Sequence, residues 1–173
     1  MTPLVYGSLQ SPLGPLWVSR SRRGVSGLYM SPSPTPGGFR SRRGSQPRVE
    51  DHWIRDDAAF ADLAGQLDEY FSGCRSTFSI PLELSGTPFQ LEVWSALCDI
   101  AYGETISYGT LAKRLSRPDA VRAVGAANGR NPVSILVPCH RVIGADGSLT
   151  GYGGGLQNKK FLLELESGQG RLA

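Results

Sequence analysis

The chain has 173 residues, 40% of them hydrophobic, which supports packed cores, excludes a disordered protein and allows one ordinary domain or two small ones. Eighteen Lys and Arg against 15 Asp and Glu leave a formal charge of +3, a mild excess that is compatible with a nucleic-acid partner without arguing for one. Three cysteines without a C-x-x-C pair argue against a disulfide framework or a zinc site, and neither a membrane-length apolar run nor a signal-peptide pattern is present, so a cytoplasmic protein without a membrane partner is expected.

Leu4–Ser8, Leu16–Arg20 and Gly24–Tyr29 read as short strands, broken by Pro12-Leu13-Gly14-Pro15 and Arg22-Arg23-Gly24, and predict a small antiparallel sheet. Residues 31–50 are rich in Pro, Ser, Gly and Arg and almost free of aliphatics, which predicts a long exposed loop. Its Arg40, Arg42, Arg43 and Arg48 read as solvated charges rather than phosphate contacts. Asp56–Phe71 carries Phe60, Leu63, Leu67, Tyr70 and Phe71 at helical spacing, with Asp56 and Asp57 as candidate caps. Thr77–Leu84 returns to an extended pattern, and Ser85-Gly86-Thr87 marks a hinge. The expected division is therefore an α/β domain over 1–85 and a mostly helical domain over 86–173.

In the second half Thr87 is a candidate cap, with Pro88 at the first helical position and Phe89, Val93, Trp94, Leu97 and Ile100 on one face. Ser107–Leu115 and Asp119–Asn128 form two further helical stretches around Ser116-Arg117-Pro118, a spacing that suggests helix-turn-helix and is shared by generic helical hairpins. Ala120, Ala123, Gly125, Ala126 and Ala127 keep the second helix slim enough to approach a groove closely. The glycines of Gly151-Tyr152-Gly153-Gly154-Gly155 do not fit a dinucleotide or P-loop fingerprint, so no nucleotide cofactor is expected.

Val137-Pro138-Cys139-His140-Arg141-Val142 places a thiol beside an imidazole, the pairing that activates a cysteine nucleophile. Cys74 and Cys98 are expected to be buried structural cysteines. The hexapeptide resembles the active-site signature of the O6-alkylguanine-DNA alkyltransferases (methylated-DNA–protein-cysteine methyltransferases). Thr87-Pro88-Phe89-Gln90, Tyr102-Gly103-Glu104-Thr105, Ser107-Tyr108-Gly109, Arg122-Ala123-Val124-Gly125, Asn128 and Asn131-Pro132 follow the family in order, from Gly86 to Glu166. Similarity in the first half is faint, and Ala101 stands where the family usually has proline.

The resemblance implies a ribonuclease-H-like N-terminal subdomain and a winged-helix C-terminal domain whose second helix, with Ala123 and Gly125 on it, enters the minor groove. It implies a monomer that binds double-stranded DNA containing alkylated guanine, needs no metal or cofactor, and moves the alkyl group from guanine O6, less readily from thymine O4, to Cys139. Each molecule then acts once. Glu166 orients His140, which reaches Cys139 through a water, and Asn131 ties the helix-turn-helix segment to the active-site strand. Tyr108 helps to protonate the leaving base, and Arg122 fills the space of the extruded nucleotide. Tyr152 packs near the thiol, the Gly153 amide meets the leaving oxygen, the carbonyls of Cys139 and Val142 accept from the guanine amine, and Lys159 supports the pocket loop. The alternative is a lesion-binding helix-turn-helix protein without chemistry; a cysteine hydrolase would differ from both by turning over.

Overall fold

The three strands read from the sequence pair as a meander. In the structure, a computed structural model that describes residues 4–30 and 53–168, β1 (Val5–Leu9), β2 (Leu16–Ser21) and β3 (Gly24–Met30) are antiparallel neighbours. A two-residue strand, β4 (Ile54–Arg55), joins the outer edge of β1 in parallel and gives the order β3-β2-β1-β4. The 31–50 stretch, with Arg40, Arg42, Arg43 and Arg48, lies outside the described residues. Leu16, Val18, Val25 and Leu28 are buried on the sheet, and Phe60, Leu63, Leu67 and Tyr70 are the buried apolar side chains of the helical segment.

The Asp56–Phe71 helix begins differently from its expected form. The Asp56 side chain accepts from the Ala59 amide at 3.2 Å and starts a single 3-10 turn over Asp57–Phe60, after which α1 (Ala61–Phe71) continues with Leu63, Leu67 and Tyr70 on its buried face. Thr77–Leu84 forms no full strand. Pro81 has no amide proton to give to a ladder, so the segment meets β3 only around one bridge, with Val25 N–H donating to Pro81 O at 2.8 Å and Glu83 N–H to Val25 O at 2.9 Å. Gly24 makes this approach possible: its φ is +153°, and a Cβ there would lie 2.3 Å from Pro81 O.

The contacts of the chain divide it into two compact units, Met1–Ser85 and Gly86–Ala173. In the second, Thr87 and Gln90 form a reciprocal capping box and Pro88 opens α2 (Pro88–Cys98), which buries Val93, Trp94 and Leu97. Ser107 caps α3 (Tyr108–Arg114) by accepting from Thr110 N–H at 3.0 Å. The next helix starts later than the expected Asp119. Ala120 N–H donates to Arg117 O at 2.9 Å and closes a turn, so α4 begins at Val121 and runs Val121–Gly129. The indole of Trp94 donates to Ala127 O at 2.9 Å and ties α2 to α4. β5 (Ile106–Ser107) and β6 (Val142–Ile143) pair in parallel, and α5 (Leu156–Ser167) closes the unit.

Candidate active site

The Cys139 segment is shaped by two three-residue turns in series. Asn131 anchors it: its side-chain oxygen accepts from Val133 N–H at 2.9 Å, and its amide donates to Val137 O at 2.7 Å. Between these bonds Leu136 N–H donates to Ser134 O at 2.9 Å around Ile135, whose φ of +73° is rare for a β-branched residue. Cys139 N–H then donates to Val137 O at 2.8 Å around Pro138, at φ −82° and ψ 62°, where the locked ring angle suits an inverse γ-turn. A 3-10 turn, Cys139–Arg141, hands the chain to β6. The strained residue therefore lies in the loop that presents the thiol.

Pairing of β5 with β6 sets Ser107 opposite Ile143, so Tyr108, the first residue of α3, starts beside the active-site strand. Its phenol donates to Thr150 O at 3.0 Å. Lys159, on α5 and fully buried, donates to the same carbonyl at 3.0 Å and to Val142 O at 2.6 Å. Its ammonium stands 5.9 and 6.0 Å from the ring centroids of Tyr108 and Tyr152, and burial lowers its pKa, against the pull of a Cys139 thiolate. The Tyr152 hydroxyl is bonded to the Ser134 side chain.

Adjacent residues in a tight turn need not share bonds: Asn131 meets the thiol and Glu166 the imidazole, while the charge of Lys159 reaches both. Burial pushes the Cys139 thiol up, while a bond from the Asn131 side chain, the charge of Lys159 and nearby backbone amides pull the other way without prevailing. His140 is fully buried, and its Nε2 lies 2.8 Å from a Glu166 oxygen. Burial depresses its pKa below the usual 6.5; Glu166 opposes this, and Arg141 and Lys159 reinforce it. The imidazole is thus neutral at pH 7, donates from Nε2 to the carboxylate, and keeps a lone pair on Nδ1, which has no hydrogen-bond partner among the described residues.

Glu166 also accepts from Arg141, Nε at 2.8 Å and Nη2 at 2.9 Å, and from Gly103 N–H at 3.3 Å. Burial alone would raise its pKa, but the hydrogen bonds from His140 and Arg141, with the Arg141 charge, outweigh it and hold the carboxyl at about 2. Glu166 read alone resembles a surface helix charge; it is buried because this bonding compensates its desolvation. A neutral base next to a neutral thiol can take a proton as the sulfur attacks, which is the requirement for nucleophilic displacement by cysteine.

Two family profiles cover nearly all of the chain: the ribonuclease-like domain of 6-O-methylguanine DNA methyltransferase over residues 4–84, and the DNA binding domain of the same enzyme over residues 88–168. A methylated-DNA–protein-cysteine methyltransferase of Mycobacterium tuberculosis is 46% identical over 166 residues, 93% of this chain and 91% of that protein. The chain belongs to the methylated-DNA–protein-cysteine methyltransferase family. Its counterpart in Methanosarcina mazei is 43% identical over 94% of this chain and 97% of its own length. Among solved structures, the Mycobacterium tuberculosis methyltransferase in complex with DNA matches with a TM-score of 0.83 and 44% identity, over 95% of this chain and 94% of that one. The enzyme of the archaeon Pyrococcus kodakaraensis matches at 0.53 and 26% identity, over 94% and 98%.

Against this methyltransferase architecture, the residues singled out in the sequence fall into two groups. Cys139, His140, Glu166, Asn131, Tyr108, Val142, Tyr152 and Lys159 are joined by the bonds and charges given above. Arg122 and Ala123 are instead exposed on α4, with Val121 and Ala126, and Arg130 is exposed just past its end. Gly125, expected on that slim surface, faces inward: a Cβ there would lie 3.7 Å from the Tyr108 ring. Gly153 is exposed in the loop before α5. Cys74 and Cys98 are exposed, not buried as expected; Cys74 follows the end of α1 and Cys98 is the last residue of α2, one position past the buried Leu97.

Ala101, standing in for the family's proline, uses the amide that proline would lack, donating to Glu104 Oε2 at 3.2 Å. Among the described residues no group of three or more His, Cys, Asp or Glu is placed to hold a metal, and no helix is long and apolar enough to cross a membrane. Two residues near the thiol were named in the sequence only as motif positions, without a role. Asn128 is buried, with its amide 3.4 Å from Cys139 O, and Arg141 is buried on Glu166. A signal for Arg141 existed: a charge inside the apolar run from Val137 to Ile143 must find a buried partner.

Proposed function

We propose that this chain repairs alkylated DNA by direct reversal, carrying the alkyl group away on Cys139. The thiol gives its proton, through a bridging water, to His140 Nδ1, and the sulfur forms a bond to the alkyl carbon as the carbon–O6 bond of guanine breaks. The electron pair leaves with the base, Tyr108 donates a proton to the leaving ring, and the proton held on His140 restores the phenol through solvent. The products are a thioether on Cys139 and an unmodified guanine. Nothing in the site offers a route for cleaving the thioether, so each molecule acts once. The single observation that carries this reading is the fully buried His140, bonded through Nε2 to Glu166 and with Nδ1 unpartnered among the described residues, one position from the buried Cys139 thiol.

Double-stranded DNA is bound through α3 and α4, a helix-turn-helix in a winged-helix domain, with the exposed Ala123 and Ala126 giving close approach to the minor groove. Arg122 replaces the extruded nucleotide, whose departure is required because a stacked alkylated base is closed to in-line attack; unstacking costs a few kcal/mol. Asn131 holds the thiol loop, and Lys159 fixes the carbonyls of Val142 and Thr150 that border the base. The Gly153 amide and the Tyr152 ring complete the pocket, which takes O6-alkylguanine and, less readily, O4-alkylthymine. The N-terminal unit is ribonuclease-H-like, and the protein works as a cytoplasmic monomer.

Loss of O6-methylguanine from a synthetic duplex, followed against the amount of protein added, tests this. The expected result is one lesion removed per molecule and none by Cys139→Ser. Continued turnover would indicate a hydrolase, and tight lesion binding without removal would indicate a recognition protein.

A further inference from the structure

Glu166 is the one buried carboxylate among the described residues, and the two adjacent side chains bonded to it, His140 and Arg141, share it unequally. Arg141 occupies both oxygens in a fork, at 2.8 and 2.9 Å, whereas His140 has one bond at 2.8 Å. The guanidinium is itself fixed: Nη1 donates to Ile100 O at 2.6 Å, and the group lies 5.8 Å from the centroid of the Tyr102 ring. In a hydrolase triad the buried carboxylate favours the imidazolium. Here a bidentate cation offsets the carboxylate's charge, so it orients the ring with a weakened pull on a second proton.

We propose that Arg141 is a positioning residue that works with burial to fix the protonation state of His140: by offsetting the charge of Glu166 it keeps the imidazole uncharged, with its proton on Nε2 and its Nδ1 lone pair free to receive the Cys139 proton. The groups facing His140 are consistent with this. Cys139 and Arg141 flank it on its own turn, and Glu166 and Lys159 come from α5. At the end of α2, Cys98 feels the charges of Asp99 and Arg141, and neither Cys98 nor Asp99 acts on the imidazole. Of the charges that act on His140, Glu166 alone favours the protonated ring, and Arg141 is the cation bonded to it.

The test is an imidazole nitrogen NMR titration of the full chain, with a single-turnover pH profile of methyl transfer from an O6-methylguanine duplex. His52 is the only other histidine, so His52→Gln completes the assignment. In the unmodified protein at pH 7 His140 should be neutral with its proton on Nε2, a reading that requires no variant to fold. Arg141→Met should move the His140 titration up by about 1–3 pH units, the range for exposing a group to an unopposed opposite charge. The acid limb of the rate profile should move with it, so that the rate at pH 6 falls by about tenfold or more while the alkaline plateau changes little. Arg141→Lys, which restores the charge but not the fork, should lie between, and Glu166→Gln added to Arg141→Met should bring the titration back down.

An imidazolium at pH 7 in the unmodified protein would overturn the proposal. So would a His140 titration unmoved in the arginine variants, even with a rate that falls evenly at every pH, the signature of packing alone. The kinetic arm rests on Cys139 being the alkyl acceptor, and the titration does not. A shifted titration without methyl transfer would sink the repair reading and leave this one standing, and transfer with an unmoved titration would do the reverse.

Discussion

A carboxyl and an imidazole buried together make this unit sensitive to acid, and the direction follows from their shifts. Glu166 is depressed from an ordinary 4.5 to about 2, so its contribution to stability is complete above pH 4.5 and is lost as the pH falls toward 2. His140 is depressed below 6.5, so it too contributes above its ordinary value and loses that contribution on acidification. Urea unfolding followed from pH 8 to 3 should show stability falling from about pH 6.5 and more steeply below 4.5, by a few kcal/mol in all. Glu166→Gln should flatten the lower window; an unchanged slope there would show that Glu166 does not bear this charge. Asn131→Ala strands the buried Val133 N–H, which costs roughly 1–3 kcal/mol, and releases the thiol loop. Both the unfolding midpoint and the alkyl-transfer rate should drop, and a stable, fully active variant would contradict its anchoring role.

Helices were the elements most open to reading from sequence, because their signals are local. Thr87, Pro88 and Ser107 act as caps or first-turn residues where their side-chain chemistry indicates, and the apolar faces of α1 and α2 are those given by the 3.6-residue period. The two-residue strands β4, β5 and β6 are too short to show any period, and they exist because of partners distant in the chain. Gly125 marks a limit of composition: its size suggests a slim outer surface, yet its missing side chain faces Tyr108 across an ordinary van der Waals gap. Gly125→Ala should therefore gain about 0.5–1 kcal/mol from helix propensity, measured by urea unfolding; a loss would mean that α3 and α4 have no room to give. Gly24→Ala should do the opposite. Its φ and the 2.3 Å approach to Pro81 O leave no place for a methyl, so the N-terminal unit should lose at least about 1–3 kcal/mol or fail to fold.

At the scale of the whole molecule, the hexapeptide made the proposed nucleophile readable, since a thiol beside an imidazole is informative at any depth of burial. What surrounds them was only partly readable. Glu166 comes 26 residues after His140, and spacing alone cannot show that a helix returns it to the ring. Arg141 was visible in the motif but had no role until its fork on Glu166 was seen. The expected burial of Cys74 and Cys98 failed because composition gives a residue type's average burial, whereas a helix end or a loop sets its own. Every part of the functional reading converges on one sulfur atom. Intact and peptide mass after mixing with excess duplex carrying O6-methylguanine measures it directly. The expected result is one methyl on Cys139, saturating at one per molecule and absent in Cys139→Ser; a methyl elsewhere, or none at all while the lesion disappears, would contradict alkyl transfer to Cys139.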